Sequence, residues 1–178
     1  MSMPNLTELR ALRAALPDAM TFWKFPIVKE EIFYASPLSF AFTNLKPVIP
    51  GHVLVAPRRV VARMNELSSA EIADLFVTAE FVGRVMSAHY SESDALTFNV
   101  QDGKSAGQTV PHVHVHVIPR SPTDVFNIRQ QNDAVYEAIN SSEKFHVDQL
   151  PDIAPRPRTV MADEAHDYVK TVERLLSE

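Results

Sequence analysis

Apolar and polar positions divide the chain into strand-length and helix-length runs. Residues 32–44, IFYASPLSFAFTN, are rich in aromatic and β-branched side chains on both sides of Ser36-Pro37, which predicts two short strands joined by a hairpin or bend. Pro50-Gly51 marks a turn, after which His52 opens a compact apolar strand, HVLVA, that Pro57 terminates. Residues 96–101 form another strand candidate, and VPHVHVHVIP alternates strictly up to Pro119. Helical spacing is clearest at positions 72, 75, 76, 79, 82 and 86, behind a Ser68/Glu71 capping box, and predicts a helix from Ser68 to about Ala88. Shorter helices are expected over 5–15, ended by Pro17, over 134–139, and over 161–176. DGKSAGQ reads as a tight exposed loop, 121–132 as polar and irregular, and the three prolines of 150–158 as extended chain. Strands surround one long helix without regular β-α alternation. The fold class expected is therefore α+β, with an antiparallel sheet of about five strands, one long helix and a C-terminal helix.

A length of 178 residues suits one domain rather than two. We expect residues 1–20 to be an N-terminal extension, 21–145 the domain proper, and 146–178 a proline-rich segment and helix packed on it. The absence of cysteine excludes disulfides, thiolate-ligated zinc, iron-sulfur clusters and thiol nucleophiles, and fits a reducing interior. Glu8, Arg10 and Arg13 interrupt the apolar character of the first residues, and nowhere do about 18 uncharged apolar residues run together, so neither a secretory signal nor a membrane span is expected. The expected location is the cytoplasm. A net charge of -5 argues against a general nucleic-acid binder, so any phosphate must be held locally.

The candidate chemistry lies on the alternating strand. Side chains one strand position apart face opposite ways, so His112, His114 and His116 share one face, about 7 Å apart, and the intervening valines share the other. If the valines bury against the long helix the register is fixed, because a slip of one residue would drive three imidazoles into the core. Neutral imidazole is nucleophilic near pH 7, since its unperturbed pKa is about 6.5, and attack on phosphorus would form a phosphoramidate. Alternating histidines are also zinc ligands, and the spacing alone leaves that reading open.

The sequence around them narrows the choice. GQTVPHVHVHVIPR resembles the signature of the histidine triad superfamily of nucleotide hydrolases and transferases: His, apolar, His, apolar, His, apolar, apolar. SFAFTNLKPVIPGHVLVAP, LTFNVQDG, AGQTV and NDAVYE resemble its fragile-histidine-triad branch, the dinucleoside polyphosphate hydrolases, over roughly residues 22–139. The resemblance implies that His114 attacks the α-phosphorus of a dinucleoside polyphosphate, expelling a nucleotide and leaving a nucleotidyl-histidine that water cleaves. It implies catalytic roles for His112, His116 and Gln101, and a substrate site of His52, Asn44, Gln108 and Asn99, with Phe22, Ile27, Phe42 and Leu54 enclosing the base. It also implies a homodimer, with no tightly bound cofactor and no protein-held metal, magnesium or manganese accompanying the polyphosphate.

Read without the resemblance, Asn44 equally suits stabilising the following Lys-Pro turn, and the four apolar residues would be core. His89 is expected at the C-terminus of the long helix; His146 and His166 are expected on the surface, and Arg58, Arg59 and Arg63 on a solvated face. Tyr136 falls in a segment that resembles one near the second nucleoside. The alternatives are a nucleoside phosphoramidate hydrolase of the same superfamily and a slow nucleotide-binding signalling protein. The first has a tryptophan in a C-terminal strand, whereas the single tryptophan here is Trp23. A galactose-pathway nucleotidyltransferase would carry Gln where this chain has His116.

Overall fold

The computed structural model describes residues 4–128, 132–141 and 154–177. Five strands, β3 (Ile32–Ala35), β4 (Ser39–Thr43), β5 (Val53–Pro57), β6 (Ala95–Val100) and β7 (Val115–Arg120), form an antiparallel sheet in the order β3-β4-β5-β7-β6. A separate hairpin, β1 (Ala19–Phe22) and β2 (Phe25–Val28), sits against it. The helices are α1 (Leu6–Ala14), α2 (Ser69–His89), α3 (Val125–Ile128), α4 (Ala134–Ser141) and α5 (Arg158–Leu175).

The period of two splits the sheet into two faces. Val53, Val55, Val113, Val115 and Val117 pack with Leu75, Ala79, Val82, Val85 and Met86 of α2, while Phe40, Phe42, Leu54 and Ala56 face Met20, Phe22 and Ile27 of the hairpin. Each fully buried valine on the helical side contributes roughly 1.5–3 kcal/mol, which is what holds the register. Helix α2 begins where the sequence predicts: Ser68 Oγ accepts from the Glu71 amide at 3.3 Å and Glu71 Oε2 from the Ser68 amide at 2.8 Å. A cap of this kind stabilises by about 1 kcal/mol.

Helix α5 crosses α2 and β3, burying Ala165, Tyr168 and Val172 in the same core. Tyr168 and Tyr90 share a hydroxyl hydrogen bond of 2.8 Å, and His89 Nδ1 meets Thr171 Oγ1 at 3.0 Å. His89 thus serves a helix–helix contact. Leu9 of α1 joins this core, and Arg13 donates to the carbonyl of Ile32 at 3.0 Å, so α1 shares a core with the sheet. Arg59 and Arg63, expected as merely solvated, are exposed but paired with Glu71 and Asp102, while Arg58 is half-buried.

Several local expectations change. The β1–β2 hairpin has no counterpart in the sequence reading. Pro57 ends β5 as expected, paired with Ser39, whereas Pro119 lies inside β7, paired with Leu96, and that strand runs on to Arg120. Pro119 is tolerated because β5 pairs β7 only over Val115–Val117, so its missing N–H breaks no bond on that side. The stretch expected to be irregular contains α3, capped by Asp124, which accepts from the amides of Phe126 and Asn127 at 2.9 Å each and pairs with Arg120 at 2.7 Å. Residues 150–153 of the proline-rich segment, and His146, lie outside the described residues. Among the described residues, no helix is long and apolar enough to cross a membrane.

Candidate functional site

The ladder of β7 starts at Val115, so His112 and His114 precede it. The alternation nevertheless continues upstream: the Val113 amide donates to Val61 at 2.8 Å, and the Val113 side chain stays on the α2 side. All three histidines consequently stand on the hairpin side of the sheet, 0%, 5% and 7% exposed for His112, His114 and His116. Their roles differ because their hydrogen bonds differ.

His112 is held by backbone at both ring nitrogens. Nδ1 accepts from the Trp23 amide at 3.0 Å, and Nε2 donates to the carbonyl of Pro57 at 2.9 Å. Trp23 adopts a left-handed backbone, φ 55°, at the two-residue tip of the β1–β2 hairpin, where its amide meets His112. Burial holds the His112 pKa down, at about 4, against the opposing hydrogen bond to Pro57. With both nitrogens engaged, His112 has none left for a zinc ion or a phosphate. It instead presents its carbonyl to His114, whose Nδ1 donates to it at 2.7 Å. In neutral His114 the lone pair therefore resides on Nε2, the nitrogen a nucleophile needs.

His116 is set by a relay that begins at a backbone amide. The Val48 N–H donates to His52 Nδ1 at 3.2 Å, which places the proton of neutral His52 on Nε2. That nitrogen lies 2.9 Å from His116 Nδ1 and donates to it, which places the His116 proton on Nε2. His116 Nε2 is buried with no hydrogen-bond partner among the described residues. Burial, with the charges of His114 and Arg156, lowers the His52 pKa to about 3; burial, His114 and His52 take His116 well below its ordinary value. An unpaired buried N–H costs about 1–3 kcal/mol, a cost that an acceptor arriving with a ligand would remove.

These groups open onto a cavity of about 390 Å³. Phe22, Ile27, Phe42 and Leu54 line it on the apolar side, and Asn44, Gln101, His114 and His116 supply polar groups. The rings of His114 and His116 are 4.8 Å apart, closer than the strand repeat alone suggests, and Phe22 meets His114 edge-on at 5.2 Å. Asn44 also does what the turn reading expects: its Oδ1 accepts from the Lys46 amide at 3.1 Å, while Nδ2 lies 3.3 Å and 3.2 Å from the two ring nitrogens of His52.

Four of the expected residues stand elsewhere. His52 is 2% exposed, behind His116 and outside the cavity lining; His112 sits behind His114. Gln108 braces its loop, accepting from the Gly103 amide at 3.1 Å and donating to Ala62 at 2.9 Å. Asn99 pairs with His116 across the β6–β7 ladder without lining the cavity. The structure adds Trp23 and Phe25 from the hairpin, Ile139 from α4 and Met161 from α5. The last two gave no signal, because they are ordinary apolar positions beyond the histidine motif. Tyr136 is exposed and not among the lining residues. Among the described residues, no three His, Asp or Glu side chains are arranged to hold a metal ion.

The chain is 43% identical over 168 residues to the bifunctional bis(5'-adenosyl)-triphosphatase/adenylylsulfatase FHIT of Arabidopsis thaliana, covering 92% of this chain and 91% of that protein. It is 46% identical over 128 residues to the asymmetrical bis(5'-nucleosyl)-tetraphosphatase of Schizosaccharomyces pombe, covering 72% of this chain and 67% of that one. The crystal structure of Plasmodium falciparum diadenosine triphosphate hydrolase in complex with cyclomarin A superposes with a TM-score of 0.61 at 33% identity, over 79% of this chain and 96% of that one. The profile of the HIT domain matches residues 27–123, more than half of the sequence, and with the histidine row seated on its cavity the chain belongs to the HIT domain family.

Proposed function

We propose that the cavity hydrolyses dinucleoside polyphosphates, such as diadenosine tri- or tetraphosphate, to a nucleoside monophosphate and the remaining nucleotide. The observation that carries this reading is the pairing of tautomers: a lone pair on His114 Nε2 beside an unpartnered N–H on His116 Nε2, both at one apolar-walled cavity. One base sits among Phe22, Ile27, Phe42 and Leu54, with Asn44 near its ribose. His114 Nε2 forms a bond to the α-phosphorus as the bond to the bridging oxygen breaks, and the leaving nucleotide takes the electron pair and departs as its phosphate anion, protonated only by solvent. His116 Nε2–H and Gln101 donate to oxygens whose charge rises in that step. Water then cleaves the P–N bond, releasing the monophosphate and restoring neutral His114. His112 and His52 act from behind, as positioning residues for the two imidazoles.

Magnesium or manganese accompanies the substrate, held by phosphate oxygens and offsetting their charge. The cytoplasm is the compartment that the cysteine-free composition suits. A second copy of the chain completes the protein: β6 is a sheet edge with Phe98 44% exposed, and Phe76 of α2 is 43% exposed, features that suit pairing. Light scattering at micromolar concentration is expected to give the mass of a dimer, and a monomer would refute it.

The reaction is tested by product identity. Diadenosine triphosphate is expected to give AMP and ADP, and the tetraphosphate AMP and ATP, with adenosine phosphoramidate turned over at least about tenfold more slowly than the better of the two. Symmetric cleavage of the tetraphosphate to two ADP, or preference for the phosphoramidate, would overturn the assignment. Adenosine phosphosulfate belongs in the same panel, because attack at its α-phosphorus uses the same contacts with sulfate as leaving group.

A further inference from the structure

The C-terminal segment beyond the HIT domain match reaches the cavity from two sides. Arg156 donates twice to the carbonyl of Asn44, from Nε at 3.1 Å and Nη2 at 2.6 Å, and its own amide donates to Leu45 at 3.0 Å. These bonds fasten the connection after β4, which belongs to the sheet wall of the cavity. Arg158 Nη2 donates to the carbonyl of Pro26 at 3.2 Å, on β2 of the separate hairpin wall, next to Ile27. In the first turn of α5, Met161 is 4% exposed and lines the cavity itself. Arg156 is in turn held by Glu164 of α5 at 2.7 Å, with both side chains less than one-fifth exposed.

Two walls built from different sheets are thus tied to one short piece of chain. The hairpin and the five-stranded sheet share no ladder, so the width between Ile27 and Asn44 is not fixed by strand pairing. Bidentate donation by a guanidinium to one carbonyl oxygen fixes direction as well as distance, and a lysine could supply only part of it.

We propose that residues 156–161 are the positioning and specificity element of the nucleoside pocket: Arg156 and Arg158 set the spacing of its two walls, and Met161 closes its base end. This rests on the nucleotide reading above. The element acts on binding of the nucleoside half of the substrate, away from the bond that His114 breaks. The same guanidinium of Arg156 is one of the charges that keep His52 neutral, so the clamp also bears on the histidine pair behind the cavity.

The test uses the full chain with Arg156→Lys, Arg158→Ala and Met161→Ala, each checked for an unchanged thermal midpoint. AMP affinity is read by calorimetry, and KM and kcat with diadenosine triphosphate. Arg156→Lys and Arg158→Ala are expected to weaken AMP binding and raise KM by about three- to tenfold, with kcat within about twofold. Met161→Ala is expected to lower the preference for diadenosine over diuridine triphosphate by about fivefold, because it removes contact from the larger base. Folded variants with unchanged AMP affinity, or a fall in kcat at constant KM, would overturn the proposal. If the unaltered protein fails to bind AMP, the nucleotide reading falls first and this inference with it.

Discussion

Replacing His114 with asparagine is expected to lower kcat/KM for diadenosine triphosphate by roughly 10⁴-fold or more, because no other group among the described lining residues presents an imidazole lone pair to phosphorus. Asparagine can still donate toward the His112 carbonyl, so folding and AMP affinity are expected to survive. Steady-state kinetics together with calorimetric AMP binding separate the two effects. Turnover within tenfold of the unaltered protein would remove His114 as nucleophile. His116→Ala should be milder, since it deletes one donor to the developing charge, an effect usually near 10²–10³ in kcat.

Acid is expected to be unusually destabilising. His52, His112 and His116 are buried neutral, with folded pKa values of about 3, about 4 and well below the ordinary histidine value. The unfolded chain titrates the same groups near pH 6.5, so between those values it binds more protons than the folded protein. The stability they contribute is fully present above about pH 6.5 and is lost as the pH falls toward 4. Each uncharged histidine adds a slope of about 1.4 kcal/mol per pH unit, or about 4 kcal/mol per unit for the three together. Against a total stability of about 5–15 kcal/mol, that slope removes about 6 kcal/mol by pH 5, enough to unfold a protein at the lower end of the range. Urea unfolding measured from pH 7.5 down to about 5 checks it, and His112→Asn should lower the slope by about one proton. A stability that stays flat across this range would mean that the imidazoles accept protons in place, contrary to the packing described.

The parts of the fold that were legible in the sequence are those governed by local periodicity. The spacing and capping box of α2, the alternation of the valines, and the apolar runs of β3 to β5 each fix one element without reference to any other. The β1–β2 hairpin was not legible. Its strands are four residues long, and its two-residue turn has Trp23 in the left-handed region, where sequence signals would be Gly or Asn. For the same reason the separate roles of the histidines could not be read from their spacing. His112 is distinguished by Trp23 and Pro57, 89 and 55 residues away, and His116 by His52, 64 residues away. The motif located the row of imidazoles; tertiary contacts assigned their tautomers. Gln108 had the right neighbours in sequence, yet two backbone partners hold it in its own loop.

Trp23 is the single tryptophan of the chain, its amide is bound to His112, and its indole lines the cavity with Lys24 Nζ 4.2 Å from the ring centroid. All of the indole fluorescence of the protein therefore comes from the mouth of the site. Emission excited at the red edge of protein absorption should change as a nucleotide enters and return as product leaves, so binding and release can be timed by stopped flow without any label.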